Sequence, residues 1–252
     1  MALAVGETSD ALRAYADRGH LHLHAGAKAA IRAMADAWEA GLSIQGAQKT
    51  LLLARTNGQV REINADIRSR LRTLGMLRGP DVGIDAVTGS GQPYELVLAV
   101  GDEIRFLARH DGLGVINGTM GIVTAISGRD TLAPRITALL QNREVTFAPA
   151  DLTDENGRAR LGHAYASTIY GAQGLTADRS LVLLDPACDR HDTYVGLSRA
   201  RDRTEIFVDR KIIDAGIRAE QPLSQRNIVA EPSESTCATP AKTAADIDVN
   251  RT

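Results

Sequence analysis

The run Leu51-Leu52-Leu53-Ala54 constrains the fold more than any other stretch of this chain. Apolar residues in unbroken succession leave no polar face, so a strand made of them must be covered on both sides, as in a parallel sheet between helices. The run ends at Arg55-Thr56-Asn57-Gly58, after which Val60, Ile63, Ile67, Leu71 and Leu74 recur every third or fourth residue and predict an amphipathic helix. Strand, polar loop and helix are half of a βαβ unit. A second buried strand is expected at Ser180–Leu184 and a third at Thr204–Val208, with a helical stretch around Tyr194 to Arg201 between them and strand-like text over Ala164–Ile169.

From about Gly79 the texture changes. Short β-like runs at Tyr94–Val100, Glu103–Leu107, Gly121–Ile126, Arg135–Leu140 and Val145–Phe147 are broken by glycine turns such as Asn117-Gly118, the pattern of a small antiparallel barrel. The expected organisation is an N-terminal helical linker region over 1–46, an α/β domain over 47–94 and 151–215, a β insert over 95–150, and a tail over 216–252. The linker region carries one short strand, from the alternation Gly19-His20-Leu21-His22-Leu23-His24. The tail gathers Pro222, Pro232 and Pro240 without one aromatic residue and is expected to be disordered.

Composition excludes several classes. Lys plus Arg is 29 and Asp plus Glu 31, a net charge of −2, so the chain is no histone-like binder, although a local basic groove remains open. Cys188 and Cys237 are too few for a disulfide framework or a cysteine-rich zinc module. No stretch approaches about 18 consecutive apolar residues, and the start lacks a cationic and apolar leader. A cytoplasmic protein with no membrane partner is expected.

Two segments carry chemistry: Tyr165-Ala-Ser-Thr168-Ile-Tyr170-Gly171-Ala-Gln173-Gly174-Leu-Thr176-Ala-Asp178, and Thr193-Tyr194-Val-Gly-Leu-Ser198-Arg199-Ala-Arg201. Each adjoins a buried strand, which puts its polar groups at strand ends, where α/β sheets bind ligands. Thr168, Gln173 and the permissive backbone of Gly171 and Gly174 offer hydroxyl, amide and N–H groups to phosphate or ribose. Arg199, expected on a rigid helix, offers a planar fork to phosphate oxygens.

These segments resemble motifs V and VI of superfamily 1 helicases of the RecD-like branch. With Asp189-Arg190-His191-Asp192 leading into the second segment, they look like the helicase part of conjugative relaxase–helicases of the TraA/TraI type. Leu51–Ala54 with Arg55-Thr56-Asn57 resembles motif IV, and Gly101-Asp102-Glu103-Ile104 with Asn117-Gly118-Thr119-Met120-Gly121 resembles an SH3-like module inserted into the second motor domain. The resemblance covers about residues 10–212 and implies a RecA-like, P-loop-NTPase-type motor domain interrupted by that barrel. It implies catalytic roles for Arg199 and Arg55 at the γ-phosphate of ATP, nucleotide contacts from Gln173 and Gly174 as well, and single-stranded DNA contacts from Thr168, Tyr170 and Asn117. Three positions depart from the pattern: Tyr170 stands where many relatives have His, Gly171 where they have Lys, and Thr176 in place of a Glu that meets the ribose in some.

No Gly-x-x-x-x-Gly-Lys-Ser/Thr occurs, no strand ends in a Mg²⁺-holding acidic pair, and there is no relaxase tyrosine cluster with a three-histidine site. ATP with Mg²⁺ is therefore expected only when an upstream helicase or relaxase half, in cis or in trans, completes the site. The alternative is a non-catalytic DNA-binding or interaction module from a decayed helicase. His20, His22 and His24 share a strand face, but with no carboxylate or Cys nearby in sequence no metal site is expected. Cys188 reads as a plain small residue. Tyr170 reads equally as a base-stacking platform or as filling a domain interface, and the arginines at 61, 68, 70 and 72 as the wet face of a helix.

Overall fold

The computed structural model describes residues 8–44, 50–128, 134–185 and 187–211. The proposed tail over 216–252 lies outside the described residues. The elements are α1 (Thr8–Asp17), β1 (Leu21–His24), α2 (Ala27–Ile44), β2 (Thr50–Ala54), α3 (Asn57–Thr73), β3 (Arg78–Val87), β4 (Pro93–Val100), β5 (Glu103–Phe106), β6 (Met120–Ser127), β7 (Arg135–Leu139), β8 (Glu144–Phe147), β9 (Leu161–His163), β10 (Ala166–Thr168), β11 (Ala177–Leu184), α4 (Arg190–Leu197) and β12 (Ala200–Asp209).

Strands β1-β12-β11-β2-β10, in that order, form one parallel sheet. Leu52 is level with Leu181, and Ala54 with Thr168. The alternation of a strand splits the apolar run between two cores. Leu52 and Ala54 join Ile31 and Met34 of α2 and Ile63, Ile67 and Leu71 of α3 on one face. Leu51 and Leu53 join Val182, Val195, Leu197 and Ile206 on the other, against α4. Within the expected linker region over 1–46, the described residues 8–44 are built into the domain: β1 is an edge strand of the sheet and α2 buries Ala30, Met34 and Ala35 completely. The sequence hid this because β1 pairs with β12, far away along the chain.

The β-module is also wider than 95–150. Hairpin β3–β4 and the antiparallel sheet β8-β7-β6-β5-β9 share one core of Ile84, Leu96, Ile104, Phe106, Ile136, Phe147 and Leu161. Phe106 and Phe147 meet edge to face at 5.4 Å. The module therefore runs from Arg78 to His163, because the alternate residues of β3 and β9 point into that core rather than onto the parallel sheet.

Nor are the arginines of α3 simply wet. Arg70 pairs with Asp36 and Glu39 of α2 and with Asp66 of its own helix. Arg68 and Arg72 both bind Asp81 of β3. Arg68 Nε also spans both oxygens of Asp102 at 3.1 Å, and Asp102 is wholly buried. Asp102 further accepts from the Ala99 N–H at 2.6 Å and the Tyr165 hydroxyl at 2.6 Å. Burial, then the Asp102 charge, pushes the Tyr165 phenol up. This buried knot fastens α3, the turn between β4 and β5, and the chain entering β10.

Candidate functional site

The loop leaving β10 faces a cleft of about 490 Å³ between the parallel sheet and the β-module. Thr168, Tyr170 and Asn117, predicted to meet DNA, all line it, as does Arg55. A larger groove of about 810 Å³ on the β-module, at Met120, Ile122, Leu139 and Arg143, holds none of the predicted residues. The cleft wall carries Arg55, Arg61 and Arg105 and, among the described residues, no aspartate or glutamate. Asp192, outside that wall, pairs with Arg55 at 3.3 Å, so in a chain of net charge −2 the local excess of positive charge lies at Arg61 and Arg105.

Each wall residue has a local cause. The chain turns through Tyr170–Ala172 directly after β10, and the Thr168 hydroxyl accepts from the Gly171 N–H at 2.9 Å, which leaves its own proton free to donate. A Cβ at Gly171 would lie 2.9 Å from Thr168 Oγ1 and 3.0 Å from Ser167 Oγ, so a lysine there would have to displace both hydroxyls. Tyr170 is 79% exposed and fills no interface within the described chain. Asn117 is exposed in the turn preceding β6. Arg61 lies over the Tyr94 ring at 5.8 Å, and burial pushes the Tyr94 phenol up to about 12 in spite of that charge.

Arg55, at the end of β2, donates from Nε to Asp192 Oδ2 at 3.3 Å in the first turn of α4. The Gln173 amide donates to His191 Nε2 at 3.2 Å in the same turn, and Gln59 donates to Asp185 at 3.1 Å after β11. Gly174 follows Gln173 with φ +81°, a left-handed backbone that suits glycine. Arg199 is not on the helix as expected. Ser198 caps the end of α4 and Arg199 stands between it and β12, with Nε donating to the Val195 carbonyl at 2.9 Å and one terminal nitrogen to Ser198 Oγ at 2.9 Å. The two arginines are thus tied to opposite ends of α4, with no direct bond between them.

Arg105 was not singled out from the sequence, Arg61 read only as part of a wet helix face, and Asp102 only as part of the SH3-like segment. For Arg105 a signal existed: Glu103-Ile104-Arg105-Phe106 alternates, so Arg105 had to face away from the barrel core. Of the histidine strand, His22 and His24 both stack on Phe207, at 4.9 and 6.1 Å, and His22 Nε2 lies 3.2 Å from Glu205 Oε2. Glu205 is brought by β12, which proximity in sequence could not show, and is already held by Arg179 at 2.6 Å and Arg203 at 3.0 Å. Among the described residues no three or more His, Cys, Asp or Glu side chains converge as a metal site would require. Cys188 is half-buried, and burial raises its thiol pKa. No helix among the described residues is long and apolar enough to cross a membrane.

No family model matches the chain. It is 31% identical over 178 residues to a probable conjugal transfer protein TraA of Sinorhizobium fredii (strain NBRC 101917 / NGR234), an alignment that takes in 71% of this chain and 15% of that protein. It is 31% identical over 163 residues to the conjugal transfer protein TraA of Agrobacterium fabrum (strain C58 / ATCC 33970), covering 63% of this chain and 13% of that protein. The chain therefore spans less than a sixth of the length of either. Among solved structures it is similar to a Pif1 helicase from Bacteroides in complex with ADP-AlF3 and ssDNA, at 23% identity and a TM-score of 0.48, covering 71% of this chain and 47% of that one.

Proposed function

We propose that this chain, similar to a segment of the conjugal transfer proteins TraA, is the second motor half of a superfamily 1 DNA helicase. Its α/β domain acts as the RecA-like unit and its β-module, in the role of an SH3-like insert, forms the other wall of a single-strand track. The observation that carries the reading is the cleft itself, with three arginines, no carboxylate and an exposed tyrosine at the loop after β10. Phosphates require the cations, and an exposed ring offers a base a stacking face without regard to sequence.

Arg55 and Arg199 are the residues that would meet nucleotide phosphates, with Gln173 and Gly174 linking that edge to the track. The donors present here do not make a nucleotide site alone: there is no phosphate loop in the sequence and no convergent metal-ligand set among the described residues. The phosphate loop and Mg²⁺ ligands belong to an upstream half.

The test is fluorescence anisotropy with a labelled single-stranded oligonucleotide at low salt. Binding that weakens steeply with added salt is expected. No binding up to about 100 µM protein, the weak end of non-specific affinities, would remove the reading. A second reading, a DNA-binding module without a motor role, is favoured by one observation: protein partners hold Arg55 and Arg199 at opposite ends of α4. Restored ATP turnover on adding an upstream half separates the two.

A further inference from the structure

We propose that Arg105 is a phosphate-binding residue of the cleft, a guanidinium carried by the β-module that takes one backbone phosphate of a single-stranded nucleic acid. The proposal rests on reading the cleft as a single-strand track. It starts from an electrostatic imbalance. Arg68, Arg70 and Arg179 are each largely buried, and each has at least one carboxylate partner at 2.6–2.7 Å. Arg105 is half-buried and, among the described residues, has none. Its bonds go to neutral acceptors only, from one terminal nitrogen to Ser167 Oγ at 2.8 Å and from the other to the Gly171 carbonyl at 3.3 Å. Its buried Nε–H has no hydrogen-bond partner among the described residues.

A partly desolvated cation without a counter-ion is costly. Burial accordingly lowers the pKa of this guanidinium. Nothing in the packing requires the charge, since Ile104 and Phe106 on either side supply the core contacts of β5. The side chain is aimed across the cleft and held there by the loop after β10. A guanidinium has five N–H donors, and the two neutral acceptors leave donors free for an anion. The free proton of the Thr168 hydroxyl lies beside Gly171, next to the same guanidinium. An anionic, oxygen-rich ligand completes this group, and a strand lying in the cleft brings such a ligand at every nucleotide.

The decisive experiment measures binding of a labelled oligo-dT by the full chain across a salt series, in the wild type and in Arg105→Gln, with thermal melting as a check on folding. Gln keeps donors for Ser167 and Gly171 but carries no charge. A lost phosphate contact on a single strand lowers the steepness of log K against log salt by about 0.7. Binding at low salt is expected to fall about 10-fold, the ratio for one hydrogen bond to a charged group. Arg105→Lys keeps the charge and is expected to keep the slope. An unchanged slope in Arg105→Gln, or a lost slope in Arg105→Lys, overturns the proposal while leaving the cleft reading intact. Inorganic phosphate serves as competitor: displacement no greater than chloride produces at equal ionic strength is the expected result. Specific displacement that disappears in Arg105→Gln would make this a free-phosphate site and overturn the proposal. If the wild type binds no strand, the cleft reading fails first.

Discussion

Replacing Asp102 with alanine is expected to destabilise the chain more than any other single change to a charged residue. The carboxylate is wholly buried and accepts from Arg68 Nε, the Ala99 N–H and the Tyr165 hydroxyl. Removing one partner of a buried ion pair costs about 3–5 kcal/mol. Arg68 retains Asp81 at 2.6 Å, so its charge is not stranded, which moves the estimate down. The Ala99 N–H loses its acceptor inside the protein, at about 1–3 kcal/mol for an orphaned buried donor. The Tyr165 hydroxyl loses the group it donates to and keeps only the Glu103 N–H that donates to it, which moves the estimate back up. About 4 kcal/mol results, a large part of the roughly 5–15 kcal/mol that holds a domain folded. The assay is urea unfolding followed by circular dichroism, with Asp81→Ala as control. The Asp81 side chain is 44% exposed, and its loss is expected to cost no more than about 1 kcal/mol. If Asp102→Ala came within about 1 kcal/mol of that control, buried ion pairing would not be what joins α3 to the β-module.

Tyr170→Ala is expected to weaken single-strand binding by about 1–3 kcal/mol, the range for one stacked base, with an unchanged melting temperature because the ring is 79% exposed; anisotropy and melting curves check the two halves. Burial holds His163 below its ordinary value of 6.5. The unfolded chain therefore takes up that proton first, so stability present above pH 6.5 falls as pH drops through the folded value, and urea midpoints across that window should fall less in His163→Asn. Bonds from Arg68 hold Asp81 below its ordinary 3.8, and bonds from Arg179, against the opposing effect of burial, hold Glu205 below its ordinary 4.5. Their contribution persists above those values and is lost at lower pH, so a second, more acidic decline in the urea midpoint is expected, smaller in Glu205→Gln.

The parallel sheet was legible because burial on both faces writes itself as continuous apolar text. Leu51–Ala54 and Leu181–Leu184 read as buried strands on that ground; the reciprocal cap between Thr56 and Gln59 at 3.2 and 3.0 Å, which starts α3, emerged only with the structure. What escaped depends on partners distant in sequence. His22 reads as a lone imidazole until β12 sets Phe207 and Glu205 beside it. Arg68, Arg70 and Arg72 read as a solvated face until Asp36, Asp81 and Asp102 arrive from other elements. Strand β3 opens with Arg78-Gly79-Pro80 and alternates weakly, so its inward residue Ile84 did not stand out, whereas its partner β4 was legible as the run Tyr94–Val100. The site divides in the same way. Arg55 was visible from its place after an apolar run and Thr168 from the polar segment adjoining a strand, whereas Arg105 enters the cleft from a module whose docking no local pattern encodes.

A chain that supplies half of a motor, as proposed, hydrolyses ATP only together with the other half. The most direct test is ATP turnover by the purified chain alone, by an upstream motor half alone, and by the two together, with and without single-stranded DNA. No turnover above background is expected from the chain alone, and DNA-stimulated turnover from the mixture. Arg199→Ala should lower that turnover by about 10³-fold, as expected for an arginine that stabilises charge on the transferring phosphoryl group, with strand binding unchanged. Robust turnover from the lone chain, or a harmless Arg199→Ala in the mixture, would contradict the motor-half proposal.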